Sequence, residues 1–129
     1  VAECIRNNIE YNKERLSNEE YVDNNLSMHY SLCFYDSNVN LALASGSFFD
    51  SIKYCKPILA LKGNPYVDYY FEKLGDIGFR FSSVQEMANF INQLSSNEFC
   101  HYEVQYLNLK RAQEVLSLGT IANSLKSQL

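Results

Sequence analysis

Short apolar runs at residues 30–35, 56–61 and 77–81 alternate with segments that open on helix caps, and the connections between them are only a few residues long. That alternation constrains the fold more than any other feature of the chain. A run of four to six apolar residues with little charge reads as a strand covered on both faces, and strands separated by single helices pair in parallel. The caps fix where the helices start. Ser17-Asn18-Glu19-Glu20 has the spacing of a capping box, Asn64-Pro65 pairs a cap with a proline in the first turn, and Ser83-Val84-Gln85-Glu86 repeats the box. Gly75 supplies the stop after the apolar face of Val67, Tyr70, Phe71 and Leu74.

The sequence therefore predicts a short helix or frayed end over 2–8, a weak strand over 9–11, then helix, strand, helix, strand, helix and strand. Three helices close the chain, over about 83–94, 99–116 and 120–129. The expected fold class is α/β: a Rossmann-like parallel sheet with helices on both faces and additional carboxy-terminal helices. At 129 residues the chain has room for one domain. It begins at Val1 rather than Met, so a partial or complete domain of a larger protein is expected.

Eleven Lys and Arg against fifteen Asp and Glu leave a net charge of −4, which argues against nucleic acid as a partner. Cys4, Cys33, Cys55 and Cys100 are widely spaced and lack the paired pattern of a zinc site, so buried free thiols and no metal or cofactor are expected. His29 and His101 have no accompanying nucleophile or carboxylate pattern and read as packing residues. No stretch reaches the 18 apolar residues of a transmembrane helix. Cytoplasmic is the default location, with peripheral membrane association of the full-length protein left open.

Ligands of open parallel sheets bind beyond the carboxyl ends of the strands, here the segments 35–47, 61–64 and 81–83. Within the first, Gly46 permits close backbone approach, Ser47 is expected to cap a helix over 47–54, and that helix start suits an anion such as a phosphate. Asp50 is expected in the first turn, placed to accept hydroxyl hydrogen bonds from a sugar attached to the anion. Tyr35 ends a strand at the same edge. Capping alone accounts for Ser47, interaction with the helix dipole accounts for Asp50, and packing accounts for Tyr35, so each functional reading has a plain structural competitor. Lys56 follows the helix and precedes the strand, a place away from the ligand edge.

The segment from Ser47 to Ala60 resembles the carboxy-terminal domain of two-domain (GT-B-like) glycosyltransferases, in which an acidic residue, several helical residues, Gly-Lys-Pro and an apolar strand follow one another. The matching positions are Asp50, Cys55, Lys56, Pro57 and Ile58-Leu59-Ala60, and the outline extends from Arg15 to the last helix. Two positions depart from the pattern: Cys55 stands in place of the glycine, and Ala42 in place of a second glutamate eight residues before Asp50. The resemblance implies that Asp50 contacts the ribose of a nucleoside diphosphate sugar, while the backbone of Gly46, Ser47 and Phe48 approaches the diphosphate. It implies sugar transfer to a hydroxyl acceptor held by a facing domain, in glycan or polysaccharide synthesis. This chain alone is then a donor-binding part that does not turn over substrate.

No GxGxxG fingerprint, Walker A loop or GxSxG elbow occurs, so dinucleotide, P-loop and serine-hydrolase chemistry gain no support. The alternative is a noncatalytic Rossmann-like domain for regulation or protein interaction, served by the ten Tyr and eight Phe.

Overall fold

A computed structural model describes residues 15–34, 46–94 and 99–128. Within them the order is α1 (Asn18–Ser27), β1 (Ser31–Cys33), α2 (Gly46–Lys53), β2 (Ile58–Leu61), α3 (Pro65–Leu74), β3 (Gly78–Phe81), α4 (Val84–Gln93), α5 (Phe99–Val115) and α6 (Leu118–Lys126). The three strands form one parallel sheet in the order β1-β2-β3, with Ser31 opposite Ile58 and Ile58 opposite Gly78. The expected helix over 2–8, the strand over 9–11 and Tyr35 lie outside the described residues.

Strand β2 explains the layers. Successive side chains of a strand point to opposite faces, and here both faces are covered, so the run has no polar position. Ile58 and Ala60 pack with Phe48 and Ile52 of α2, Val67 and Phe71 of α3, and Leu109 and Ala112 of α5. Leu59 packs on the other face with Phe81 and Met87, beside Phe79 and Phe90. Helices thus lie on both faces, with α2, α3 and α5 against one and α4 against the other. Each fully buried aliphatic side chain contributes about 1.5–3 kcal/mol relative to exposure, and Ile58, Leu59 and Ile77 are all at most 2% exposed.

Strand β1 is shorter than the apolar run predicts and is buried on one side only. Cys33 faces the core, whereas Leu32 and Phe34 are 50% and 56% exposed. Among the described residues β1 is at the edge of the sheet, and such a strand keeps the apolar composition of a central one when one of its faces still belongs to the core.

The helix boundaries follow their caps. Ser17 accepts from the Glu20 amide at 3.2 Å while Glu20 Oε2 accepts from the Ser17 amide at 2.8 Å, a complete box. Asn64 Oδ1 accepts from the amides of Tyr66 and Val67, and Gly75 ends α3 with φ of 82°, a conformation that strains any other residue. The second predicted box is modified: Ser83 takes the Glu86 amide, but the Glu86 carboxylate reaches Ser82 N at 2.7 Å. The last helix starts two residues earlier than expected because Ser117 is its cap, accepting from the Thr120 amide.

Long-range polar bonds gather where the strands begin. Lys56 Nζ, on a residue only 9% exposed, donates to Leu26 O at 2.9 Å and holds the end of α1 against the start of β2. Gln105 and Asn108 of α5 donate to the side chain and carbonyl of Asp76, just before β3. Gln113 Nε2 donates to Ile52 O and Lys53 O at the end of α2. Helix α5 therefore ties the strand-start edge together and leaves the strand-end edge to shorter connections.

Candidate functional site

Four of the five residues singled out from sequence lie together on α2, and the structure separates their roles. Gly46 and Ser47 are exposed at the amino end of the helix. Phe48 is fully buried, its ring 5.5 Å from that of Tyr66 and 5.4 Å from that of Tyr70, so only its backbone faces the helix start. Asp50 lies two residues further, about 200° around the helix, and its side chain is turned away from the core.

Two expectations are corrected. Ser47 is the second residue of α2 rather than its cap, and Asp50 is the fifth, beyond the first turn. The helix accommodates Gly46 and Ser47 because first-turn amides require no intrahelical acceptor. The carbonyl of Ser47 accepts from the hydroxyl of Ser51 at 2.8 Å, and the Ser51 and Ser31 hydroxyls are in hydrogen-bond contact at 2.7 Å, joining α2 to β1. Dipole stabilisation fades within the first turn, so the shift of Asp50 down the helix weakens the plain structural explanation of its charge.

Asp50 has a different described partner. Tyr21 Oη donates to Asp50 Oδ2 at 2.6 Å, the length of a charge-assisted O–H···O⁻ bond. The carboxylate holds the Tyr21 phenol above its ordinary pKa, so the proton stays on Tyr21 through neutral pH. Tyr21 is 40% exposed and Asp50 is half-buried, which leaves both polar groups within reach of solvent. Sequence spacing identifies Tyr21 only as an apolar helix position, since its partner lies 29 residues away and no local pattern connects them.

Both helices point their amino ends the same way. Lys56 fixes the last turn of α1 at the strand-start edge, and α2 descends to that edge before β2, so Tyr21 and Asp50 join the middle turns of two helices that run side by side. At the end of β2, Asp68 holds the turn: its Oδ2 accepts from Gly63 N at 2.9 Å and its Oδ1 from Arg80 Nη1 at 2.8 Å. Two open clefts lie elsewhere, one of about 450 Å³ lined by Phe49, Ile52, Lys53, Gln113 and Leu116, the other of about 370 Å³ along Tyr102, Glu103, Tyr106 and Leu107.

Lys56 is a structural cation, as its position before the strand predicts. His29 and His101 pack edge-on near Tyr102 and Phe79. Among the described residues Cys33 and Cys55 are free thiols, no three His, Cys, Asp or Glu side chains gather into a group that could hold a metal, and no helix is long and apolar enough to cross a membrane.

Cys55 carries an unexpected backbone. Its φ is +53°, a left-handed conformation. The bonds Lys56 N to Ser51 O at 2.8 Å and Cys55 N to Ile52 O at 3.1 Å make this the paired closure of a Schellman motif. Glycine is the usual residue there, and a side chain costs about 1–2 kcal/mol. No family model, curated protein or solved structure matches the chain.

Proposed function

We propose that this chain is the donor-binding domain of a two-domain nucleotide-sugar glycosyltransferase. The observation that carries the reading is the left-handed backbone at Cys55. The resemblance puts a glycine at that position, and the Schellman closure of α2 is a physical reason for one. It supports the register in which Asp50 takes the place of the acidic ribose-binding residue and Lys56-Pro57 leads into the central strand. The half-buried carboxylate of Asp50, within reach of solvent, suits that role.

In the proposed reaction an acceptor hydroxyl oxygen forms a bond to the anomeric carbon, the bond from that carbon to the diphosphate oxygen breaks, and the hydroxyl proton is released. The amino end of α2 carries partial positive charge and would stabilise the negative charge that develops on the departing diphosphate. Acceptor binding belongs to a facing domain.

Calorimetric titration of the chain with uridine, guanosine and adenosine diphosphates tests the reading. Saturable binding of at least one is expected, and Asp50→Asn, which keeps size and an acceptor for Tyr21, weakens it by about 1.5–3 kcal/mol, or roughly 10- to 150-fold. A folded chain that takes up none of them overturns the proposal. The second reading, a noncatalytic interaction domain, is favoured by Leu118, Ile121 and Leu125 of α6, which are 87%, 44% and 58% exposed and recur at helical spacing. Absence of nucleotide uptake together with self-association through α6 would select it.

A further inference from the structure

We propose that the cleft between α2 and the end of α5 is a second binding site, one that takes a small aromatic carboxylate. The proposal does not depend on the donor-binding reading, since none of the residues assigned to the donor lines this cleft.

Helix periodicity builds the walls. Phe49, Ile52 and Lys53 stand at i, i+3 and i+4 and so share one face of α2. Gln113 and Leu116 face them from the last turn of α5 and the residue after it. Together they line about 450 Å³, within the range of small-molecule sites. Two of the side chains are held in place from behind. The ring of Phe49 meets those of Tyr66 and Tyr70 edge-on, with centroids 6.4 Å and 5.5 Å away. Gln113 Nε2 donates to Ile52 O at 3.0 Å and Lys53 O at 2.7 Å, and so covers the carbonyls at the end of α2 that would otherwise repel an anion.

The charge at the rim sets the sign of the ligand. Lys53 is exposed, with Nζ 5.1 Å from the centroid of the Tyr54 ring, and among the described residues no carboxylate pairs with it. No acidic side chain among the described residues lines the cleft, and Asp50, the acidic residue nearest along α2, is bonded to Tyr21. An ammonium at the edge of an aromatic and aliphatic floor suits an amphipathic anion, whose rings cover Phe49, Ile52 and Leu116 while its carboxylate reaches Lys53. The cleft along α5 has a different character: Glu103 lies on its wall, and Lys110 Nζ already stands 5.6 Å over the Tyr106 ring.

The test is an amide NMR titration of the isotope-labelled chain with naphthylacetate, with the neutral naphthylethanol and with naphthylethylammonium. The carboxylate is expected to bind saturably at about 1 mM, as suits a ligand of that size in an open cleft. It should shift the side-chain amide signals of Gln113 and the backbone signals of Ile52, Lys53 and Leu116. It is expected to bind roughly 2- to 5-fold more tightly than the alcohol, the range of a solvent-exposed charge pair, and the ammonium more weakly than either. Lys53→Met should remove the difference between carboxylate and alcohol while the alcohol binds as before. Leu116→Ala should weaken all three ligands by roughly 3-fold. Circular dichroism of each variant checks the fold, and the comparison of the three ligands on the unmodified chain decides the sign of the site without any variant. Absence of saturable shifts at the cleft, shifts gathered elsewhere, equal affinity for carboxylate and alcohol, or a carboxylate preference that survives in Lys53→Met overturns the proposal.

Discussion

The two edges of the sheet are built differently. Where the strands begin, side chains reach across the fold: Lys56 to Leu26, Gln105 and Asn108 to Asp76, and Gln113 to Ile52 and Lys53, spanning 29 to 61 residues. Where the strands end, the bonds among the described residues are local: Asn64 to the amides of Tyr66 and Val67, Glu86 to Ser82, and Asp68 to Gly63 and Arg80, spanning 2 to 12 residues. Long bonds tie elements that local preferences cannot align, so the strand-start edge is expected to determine stability. Local bonds hold turns in shape while leaving groups in reach of a ligand, and the strand-end edge is expected to determine binding.

The strongest way to break this division is to disturb the strand-start edge directly. Gly78 opens β3 opposite Ile58, and a Cβ there would overlap the backbone carbonyl and amide of Ile58. Both atoms belong to the sheet and cannot move aside as a flexible side chain does. Gly78→Ala should therefore cost more than about 4 kcal/mol or prevent folding, the range of the severe core disruptions. Urea denaturation measures it. A loss below about 1 kcal/mol would mean that the strand starts are not held as closely as the register implies.

A matched pair of substitutions sharpens the comparison. Lys56→Met keeps an unbranched buried stem but removes the charged donor to Leu26 O, and the loss of such a bond costs about 1.5–3 kcal/mol. Arg80→Met at the other edge removes an ion pair with Asp68 whose side chains are 31% and 27% exposed, and pairs in contact with solvent contribute about 0–1 kcal/mol. The midpoint of urea denaturation should fall further for Lys56→Met. The reverse order would contradict the assignment of the two edges.

The same division explains what could be read in the sequence. Helix starts at Ser17, Asn64 and Ser83 and the stop at Gly75 were legible because each depends on residues two to four positions apart. The parallel sheet followed from the uninterrupted apolar run at Ile58, Leu59 and Ala60, which only a strand with two covered faces requires. The burial of Lys56 and the use of Gln113 were not legible, since their acceptors are carbonyls, which carry no sequence signal. In the candidate site, the helix bearing Ser47, Phe48 and Asp50 was legible, although Gly46 was expected in the loop before it. The bond from Tyr21 was not, because a tyrosine at an apolar helix position looks the same whether its hydroxyl meets solvent or a carboxylate.

The smallest effect is expected at Cys55, where the strand-start edge meets the position that the resemblance assigns to glycine. Cys55→Ala removes the buried sulfur, which accepts from Gln113 Nε2 at 3.1 Å, and keeps the left-handed strain. Cys55→Gly removes the same sulfur but releases about 1–2 kcal/mol of strain, offset in part by the greater freedom of glycine in the unfolded chain. The glycine variant should thus be the more stable of the two and close to the unmodified protein. Burial raises the Cys55 thiol above its ordinary value of 9.0. Below that pH both folded and unfolded chains hold the proton and the contribution is complete. Above it the unfolded chain loses the proton first and binds fewer protons than the folded one, so stability falls as pH rises. One such group sets a ceiling of about 1.4 kcal/mol per pH unit. Denaturation curves at pH 8, 9 and 10 should show the difference between the unmodified protein and Cys55→Gly shifting toward the variant at high pH. A difference independent of pH would show that the folded thiol titrates as it does in the unfolded chain, and a Cys55→Gly variant less stable than Cys55→Ala would overturn the strain argument at this position.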